Sequence, residues 1–424
     1  MVCREVWSAE GNMNATNFSR AAAGLRKEAT GGILMVTAAA IALVWANSPW
    51  SEQYFALRDF RIGYSPWGLD LSFGQWAADG LLAIFFFLVG LELKQEIIAG
   101  DLRNPRRAAV PMVAAAGGVI VPALIYMAAT ASHPALHHGW AIPTATDITF
   151  AVAILALVGS GLPSSLRLFL LTLAVMDDLI AVVIIAFFYT DGIRLVPLLI
   201  SVTVIALYWL IAHRRQDLFG LNLFAAWAIL FPIGLVAWGF MHASGVHATI
   251  AGVALGLCIP VRPGPEGRRG WGEDGSGLAG EFERRFRPLS NLVAVPVFAF
   301  FAAGVALGGW GGLGEAFGSP VTVAVIIALV FGKPIGILAS TWVAAKMVGS
   351  GLPKGSRWVD MVGIAVLAGV GFTVALLVAE LSFASGSNEG EYAKIAILAA
   401  SLVAAALASA ILIPRSRHYR RLDG

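Results

Sequence analysis

Apolar positions along this chain do not recur at the spacing of a surface helix or a half-buried strand. They come in long blocks with few polar interruptions. Twelve such blocks stand out, at roughly 31–49, 76–99, 107–129, 139–159, 165–188, 194–212, 219–240, 245–259, 289–309, 320–346, 357–383 and 391–413. A helix that crosses the hydrocarbon core of a bilayer needs about 20 mostly apolar residues. Most of the blocks reach that length; the eighth is short, and its separation from the seventh is the least marked. Only helices and closed barrels satisfy their backbone polar groups in lipid. These blocks are too long and too continuously apolar for barrel strands, whose outward and inward residues alternate. The pattern predicts an all-α polytopic membrane protein of about 12 spans.

Composition agrees. Of 424 residues, 58% are hydrophobic and 13% charged, against about 25% charged in soluble domains. The net charge of +3 is small and points to no nucleic-acid partner. Its distribution is more informative. With twelve spans, alternate loops fall on alternate sides, and one side collects 24 of the 29 Lys and Arg. Arg58, Arg61, Arg194 and Lys394 fall on the other, and Lys333 lies inside a span. Excess Lys and Arg mark the cytoplasmic side, so both termini are expected there, which requires an even number of spans.

The domain plan follows: a cytoplasmic tail over 1–28, a transmembrane domain over 29–414 and a short cytoplasmic tail over 415–424. The first 30 residues lack the apolar stretch and cleavage site of a signal peptide. Within the domain, 50–75 is an outer loop whose alternation around Ser65 and Pro66 fits a β-hairpin. Residues 262–287 form a cytoplasmic loop rich in Gly, Glu and Arg, whose end could extend the ninth span. Cys3 and Cys258 suggest neither a disulfide framework nor a metal site, and no 20–50-residue repeat is present.

Three carboxylates lie deep in the apolar blocks: Asp147, Asp177 and Asp178. Each costs about 2.5–3.5 kcal/mol at the centre of a spanning helix, so each is expected to face a protein cavity. Asp177 and Asp178 point about 100° apart on their helix and reach one cavity if it wraps around that helix. Two carboxylates held close cannot both stay ionised cheaply. A bound Na⁺ or Li⁺ relieves the repulsion and displaces a proton, which is a sufficient basis for cation/proton exchange. The alternative, a pair at a helix end in water, is disfavoured by LRLFLLTLAVM before it and LIAVVIIAFFY after it.

Asp147 follows Pro143, which removes a backbone donor, and stands beside Thr144 and Thr146, two poor mid-helix residues. The stretch reads as a broken helix with its unwound part lining the cavity. A simple proline kink with Asp147 capping the following half-helix fits as well, and a role in shaping the local field is favoured over direct ligation. Gly369, Gly371 and Thr373 interrupt the eleventh block in the same way, although close packing of small residues also explains them. The fourth and eleventh blocks are the middle members of triads 3–5 and 10–12, which start from opposite sides. Lys333 is the matching buried cation. A lone buried ammonium is costly, so an ion pair with Asp177 is the economical reading, against a lysine that snorkels to the surface.

Glu92, Lys94 and Glu96 sit near the cytoplasmic end of the second block, with Glu92 and Glu96 on one helix face. An acidic funnel that attracts cations and an ordinary solvated helix end fit equally. Asp79 is placed towards the outer end of the same block, and His247 reads as a core histidine rather than a proton relay. An intramembrane aspartyl protease also uses two membrane aspartates, but on two facing helices, and no GxGD motif is present. A symporter needs a more polar substrate site than these blocks offer. A channel would conduct cations without moving protons. No enzyme activity and no cofactor is expected.

Six stretches carry a resemblance. FFFLVGLELKQE, GWAIPTATDITFA, LAVMDDLIAVVIIAFFYTD, SGVHATIAGV, FGKPIGI and GVGFTVALL, in this order, resemble the NhaA family of Na⁺/H⁺ antiporters, over roughly residues 20–415. The resemblance implies twelve helices with inverted repeats and two discontinuous helices, in the bacterial plasma membrane. In transporters of this kind, this family among the examples, helices broken at matching places in inverted triads mark a midplane binding site. It further implies Asp178 as principal cation ligand and proton carrier, Asp177 as its partner paired with Lys333, and Thr146 and Asp147 as the unwound positions. Glu92 and Glu283 match positions linked to pH response, with Glu96 grouped beside Glu92. The outer hairpin matches a homodimer contact, and Na⁺, Li⁺ and H⁺ are the transported partners, with more than one proton per sodium ion. Two departures stand out. PVFAFFAAG places Phe301 and Ala302 where the family commonly has Ala-Asn, and Arg284 and Arg287 occupy positions that can be histidine.

Overall fold

A computed structural model describes residues 30–63, 68–103, 105–190, 192–261, 277–348, 352–353, 355–384 and 386–423. Among the described residues, eight helices are individually long and apolar enough to span a bilayer: Phe73–Ile98, Ala108–Ala129, Ser164–Phe188, Leu195–Arg214, Ala226–Ala243, Gly277–Ala303, Pro320–Met347 and Asn388–Leu422. Two more spans are pairs bent by 45° at a short break, Pro134–Thr144 with Ile148–Val158 and Trp358–Leu367 with Phe372–Ser382. Thr30–Ala46 is followed by Ser51–Asp59 at 118°, an angle that turns the second helix back along the surface. With the shorter apolar helix Thr249–Cys258, the series in chain order gives segments 1 to 12. The protein is the expected all-α polytopic membrane protein with two discontinuous helices, segments 4 and 11.

Lipid tails are as apolar as leucine, so helices in a bilayer associate through close packing rather than exclusion of water. Glycines provide it here. A Cβ added at Gly256 of segment 8 would stand 3.0 Å from the backbone nitrogen of Leu91 in segment 2, and one at Gly252 3.2 Å from that of Phe87. Between segments 3 and 10, a Cβ on Gly336 would stand 2.8 Å from the carbonyl carbon of Gly117. Large apolar side chains such as Leu124, Phe187, Val196 and Phe224 are exposed on the outside of the bundle, where lipid is their solvent.

Three prolines shape the helices around the site. Pro232, Pro296 and Pro334 each lie one residue beyond a π-helical stretch, Ala226–Leu230, Ser290–Ala294 and Ala328–Gly332 respectively. A proline inside an α-helix lacks its N–H, and its ring meets the carbonyl four residues back. A wider turn just before it relieves that clash. π-Turns of this kind often lie at functional positions, and here they immediately precede Lys333 and begin at Ser290.

Outside the bundle, Arg61–Ile62 pairs antiparallel with Leu71–Ser72, Arg61 opposite Ser72; the expected turn residues Ser65 and Pro66 lie outside the described residues. Tyr54 on the surface helix is buried and donates its hydroxyl to the carbonyl of Phe300 at 2.7 Å. Helix Gly277–Leu289 runs on into segment 9, so the end of the 262–287 loop does extend that span. Residues 262–276 and the tail 1–28 lie outside the described residues. The final helix continues through Pro414 to Asp423, because Asp360 binds Arg415 at 2.6 Å and Tyr419 at 2.6 Å and holds the last turns in place.

Candidate functional site

The two broken spans meet at their breaks. The first half of segment 4 is a 3₁₀ helix, Pro134–Thr144, ended after Pro143. Ala145, Thr146 and Asp147 are extended or unwound before the α-helix Ile148–Val158. Segment 11 unwinds between Leu367 and Phe372. The backbone groups freed by both breaks are satisfied across the crossing. Asp147 N donates to Val370 O at 2.8 Å, and the Thr146 hydroxyl donates to Ala368 O at 2.9 Å. Asp147 then uses both carboxylate oxygens as caps. Oδ1 accepts from Phe150 N at 2.9 Å and Oδ2 from Thr373 N at 3.0 Å. Helix N-termini carry partial positive charge, so a single carboxylate balances two converging half-helices. This is the capping geometry, and the Thr146 hydroxyl donates its proton across the crossing while its oxygen keeps its lone pairs.

The negative end of the 3₁₀ helix has its own counterpart. Lys333 is fully buried; its Nζ donates to Thr144 O at 2.5 Å and to Asp177 Oδ2 at 2.7 Å. Segment 10 thereby reaches both segment 4 and segment 5. Asp178, the next residue, has a different environment. Neither of its oxygens has a hydrogen-bond partner among the described residues, and Asp177 Oδ1 has none either. The adjacent carboxylates are thus unequal: Asp177 is held by an ammonium, and Asp178 presents two bare oxygens.

Asp178 opens on a narrow cavity of about 40 Å³. Glu92, Arg287, Ser290, Asn291 and Thr149 also line it, which directs it towards the side rich in Lys and Arg. One water needs about 10–15 Å³ of such space, so only a few fit. At its mouth Arg287 binds Glu92 at 2.6 Å and also pairs with Glu283, and Gln95 donates to Glu283 at 2.6 Å. On the opposite side a larger cavity of about 550 Å³ is lined by Asp79, His247, Glu380, Glu391 and Lys394. Asp178 is not part of its wall.

A comparison with known proteins settles the family. Residues 22–412 match the family model described as Na⁺/H⁺ antiporter 1. The chain belongs to this antiporter family. A Na⁺/H⁺ antiporter NhaA of Arthrobacter sp. (strain FB24) is 59% identical over 399 residues, covering 94% of this chain and 86% of the relative. NhaA 2 of Mycobacterium sp. (strain MCS) is 53% identical over 405 residues, covering 95% and 90%. NhaA of Frankia casuarinae is 53% identical over 399 residues, covering 94% and 88%.

In this antiporter the structure brings together Asp177, Lys333 and the unwound stretch of segment 4, with Asp178 beside them. It brings Glu92 and Glu283 to one guanidinium. Glu96, one turn beyond Glu92, is not on the wall of the narrow cavity. His247 and Asp79 meet, Nε2 to Oδ1 at 3.4 Å, and His247 Nδ1 lies 2.7 Å from the hydroxyl of Thr249. The sequence reading missed His242, 3.8 Å from the same aspartate. It also missed Ser290, whose only signal was a Ser-Asn pair opening an otherwise apolar stretch.

Proposed function

We propose that this protein is a secondary active antiporter that exchanges Na⁺ or Li⁺ for protons at Asp177 and Asp178. It sits in the bacterial plasma membrane with both termini in the cytoplasm. One observation carries the reading: Asp178 is buried with both oxygens bare, next to an aspartate already neutralised by Lys333. A buried carboxylate is costly to leave charged and alone. It is relieved by a proton or by a small cation, on the same oxygens and not both at once. That exclusion makes cation entry expel a proton and proton entry expel a cation.

Asp177 supplies a second acidic group. The cation held between the two ionised carboxylates leaves when each takes up a proton, and protonation of Asp177 loosens its pair with Lys333. Two acidic groups then serve one cation, so more than one proton moves per sodium ion and the exchange is electrogenic. Thr146 and Asp147 keep the crossing intact, because their bonds join the breaks of segments 4 and 11. Shifting one half-helix pair against the other moves access from one cavity to the other, as alternating access requires. The Glu92–Arg287–Glu283 cluster stands at the cytoplasmic mouth, where charge controls entry and the response to pH. The outer hairpin carries the homodimer contact.

The test uses vesicles containing the purified protein and a trapped pH dye. Adding NaCl outside drives Na⁺ in and protons out, so the lumen becomes more alkaline. With Asp178→Asn the sodium-triggered pH change disappears. Sodium entry that continues with no linked pH change would instead make this a channel.

A further inference from the structure

The narrow cavity is lined by one fully buried hydroxyl that the proposed exchange has not used. Ser290 is fully buried, and its hydroxyl has no hydrogen-bond partner among the described residues. A helical serine ordinarily bonds back to a carbonyl one turn earlier. Ser290 instead opens the π-turn Ser290–Ala294, and its side chain lines the cavity shared with Asp178. A buried hydroxyl without a partner destabilises the fold, and that loss is recovered when something that needs oxygen enters. Asp178 presents the same kind of orphan, two bare carboxylate oxygens. Hard cations take several oxygen ligands, more than one carboxylate supplies.

We propose that the Ser290 hydroxyl is a further ligand for the alkali cation and helps set Na⁺ affinity and the Na⁺/Li⁺ preference. The inference rests on the reading of Asp178 as the exchange site. Ser290 opens the π-turn that precedes Pro296, and Thr149 and Asn291 line the same cavity as Asp178, Glu92 and Arg287. A neutral hydroxyl suits this place: it ligates a cation without adding a second charge for protons to compete at.

Vesicle exchange is measured as a function of Na⁺ and of Li⁺ for the wild type, Ser290→Ala, Ser290→Thr and Asp178→Asn. Ser290→Ala is expected to raise the KM for Na⁺ about tenfold, the loss of one oxygen ligand to a charge, with a different change for Li⁺ and a near-normal maximal rate. Ser290→Thr, which keeps the hydroxyl, stays near wild type. Because no protein bond is lost, the Tm of Ser290→Ala is unchanged or higher. Wild-type KM values for both ions in Ser290→Ala would overturn the inference, as would a lower Tm accompanying the KM change. If Asp178→Asn also retains exchange, the failure lies in the site reading; if it is inactive, only the Ser290 assignment fails.

Discussion

Replacing Lys333 with alanine removes the ammonium that pairs with Asp177. Its Nζ makes two short contacts, 2.7 Å to Asp177 Oδ2 and 2.5 Å to the Thr144 carbonyl, with the side chain fully buried. After truncation Asp177 has no partner at either oxygen, since Oδ1 already lacks one. The end of the 3₁₀ helix also loses its counter-charge. Breaking a buried pair from one side costs about 3–5 kcal/mol. Scaled by the unfolding entropy of a chain of this length, Tm falls by roughly 3–6 °C. The double variant Lys333→Met with Asp177→Leu removes both charges and keeps the volume. It should recover most of the loss, since apolar replacement of a whole buried pair is often neutral. Tryptophan-fluorescence melting of the detergent-purified protein measures both. A wild-type Tm for Lys333→Ala, or no recovery in the double variant, would refute the pairing as a source of stability.

Two further changes probe the crossing and the mouth. Asp147→Ala removes the caps of two half-helices at once and should destabilise by about 2–4 kcal/mol, each cap contributing about 1–2. Asp147→Asn, which still accepts, should lose less, and equal melting of the two variants would contradict the capping role. Arg287→Gln leaves the mouth more negative and should lower the KM for Na⁺ about threefold at low ionic strength through local cation attraction. Added choline chloride should erase that difference by screening; a KM that is unaltered, or altered equally at all salt, would refute it.

The twelve apolar blocks were legible because lipid imposes length and polarity on each span separately. Asp177, Asp178 and Lys333 were legible for a related reason: a charge in an apolar block is expensive wherever the block packs. What the chain pattern could not show were pairings formed by tertiary contact. Thr146 reads only as a poor mid-helix residue, yet its hydroxyl donates to a carbonyl 222 positions away. Asp79 reads as interfacial, and only the fold places His242 and His247 against it. The π-turns had a local signal in Pro232, Pro296 and Pro334, but a proline alone does not distinguish a kink from a widened turn. Ser290 matters only because such a turn aims it at the cavity of Asp178. The tail at 415–424 reads as polar, whereas Arg415 and Tyr419 gain a buried partner, Asp360, that lies far away in sequence.

The central claim is that cation and proton compete for the same buried oxygens. Calorimetric titration of the purified protein with NaCl, repeated in buffers of different ionisation enthalpy, counts the protons released per sodium bound. Competition predicts proton release on binding in the wild type and neither binding nor release in Asp178→Asn. Sodium binding with no dependence on the buffer would contradict it.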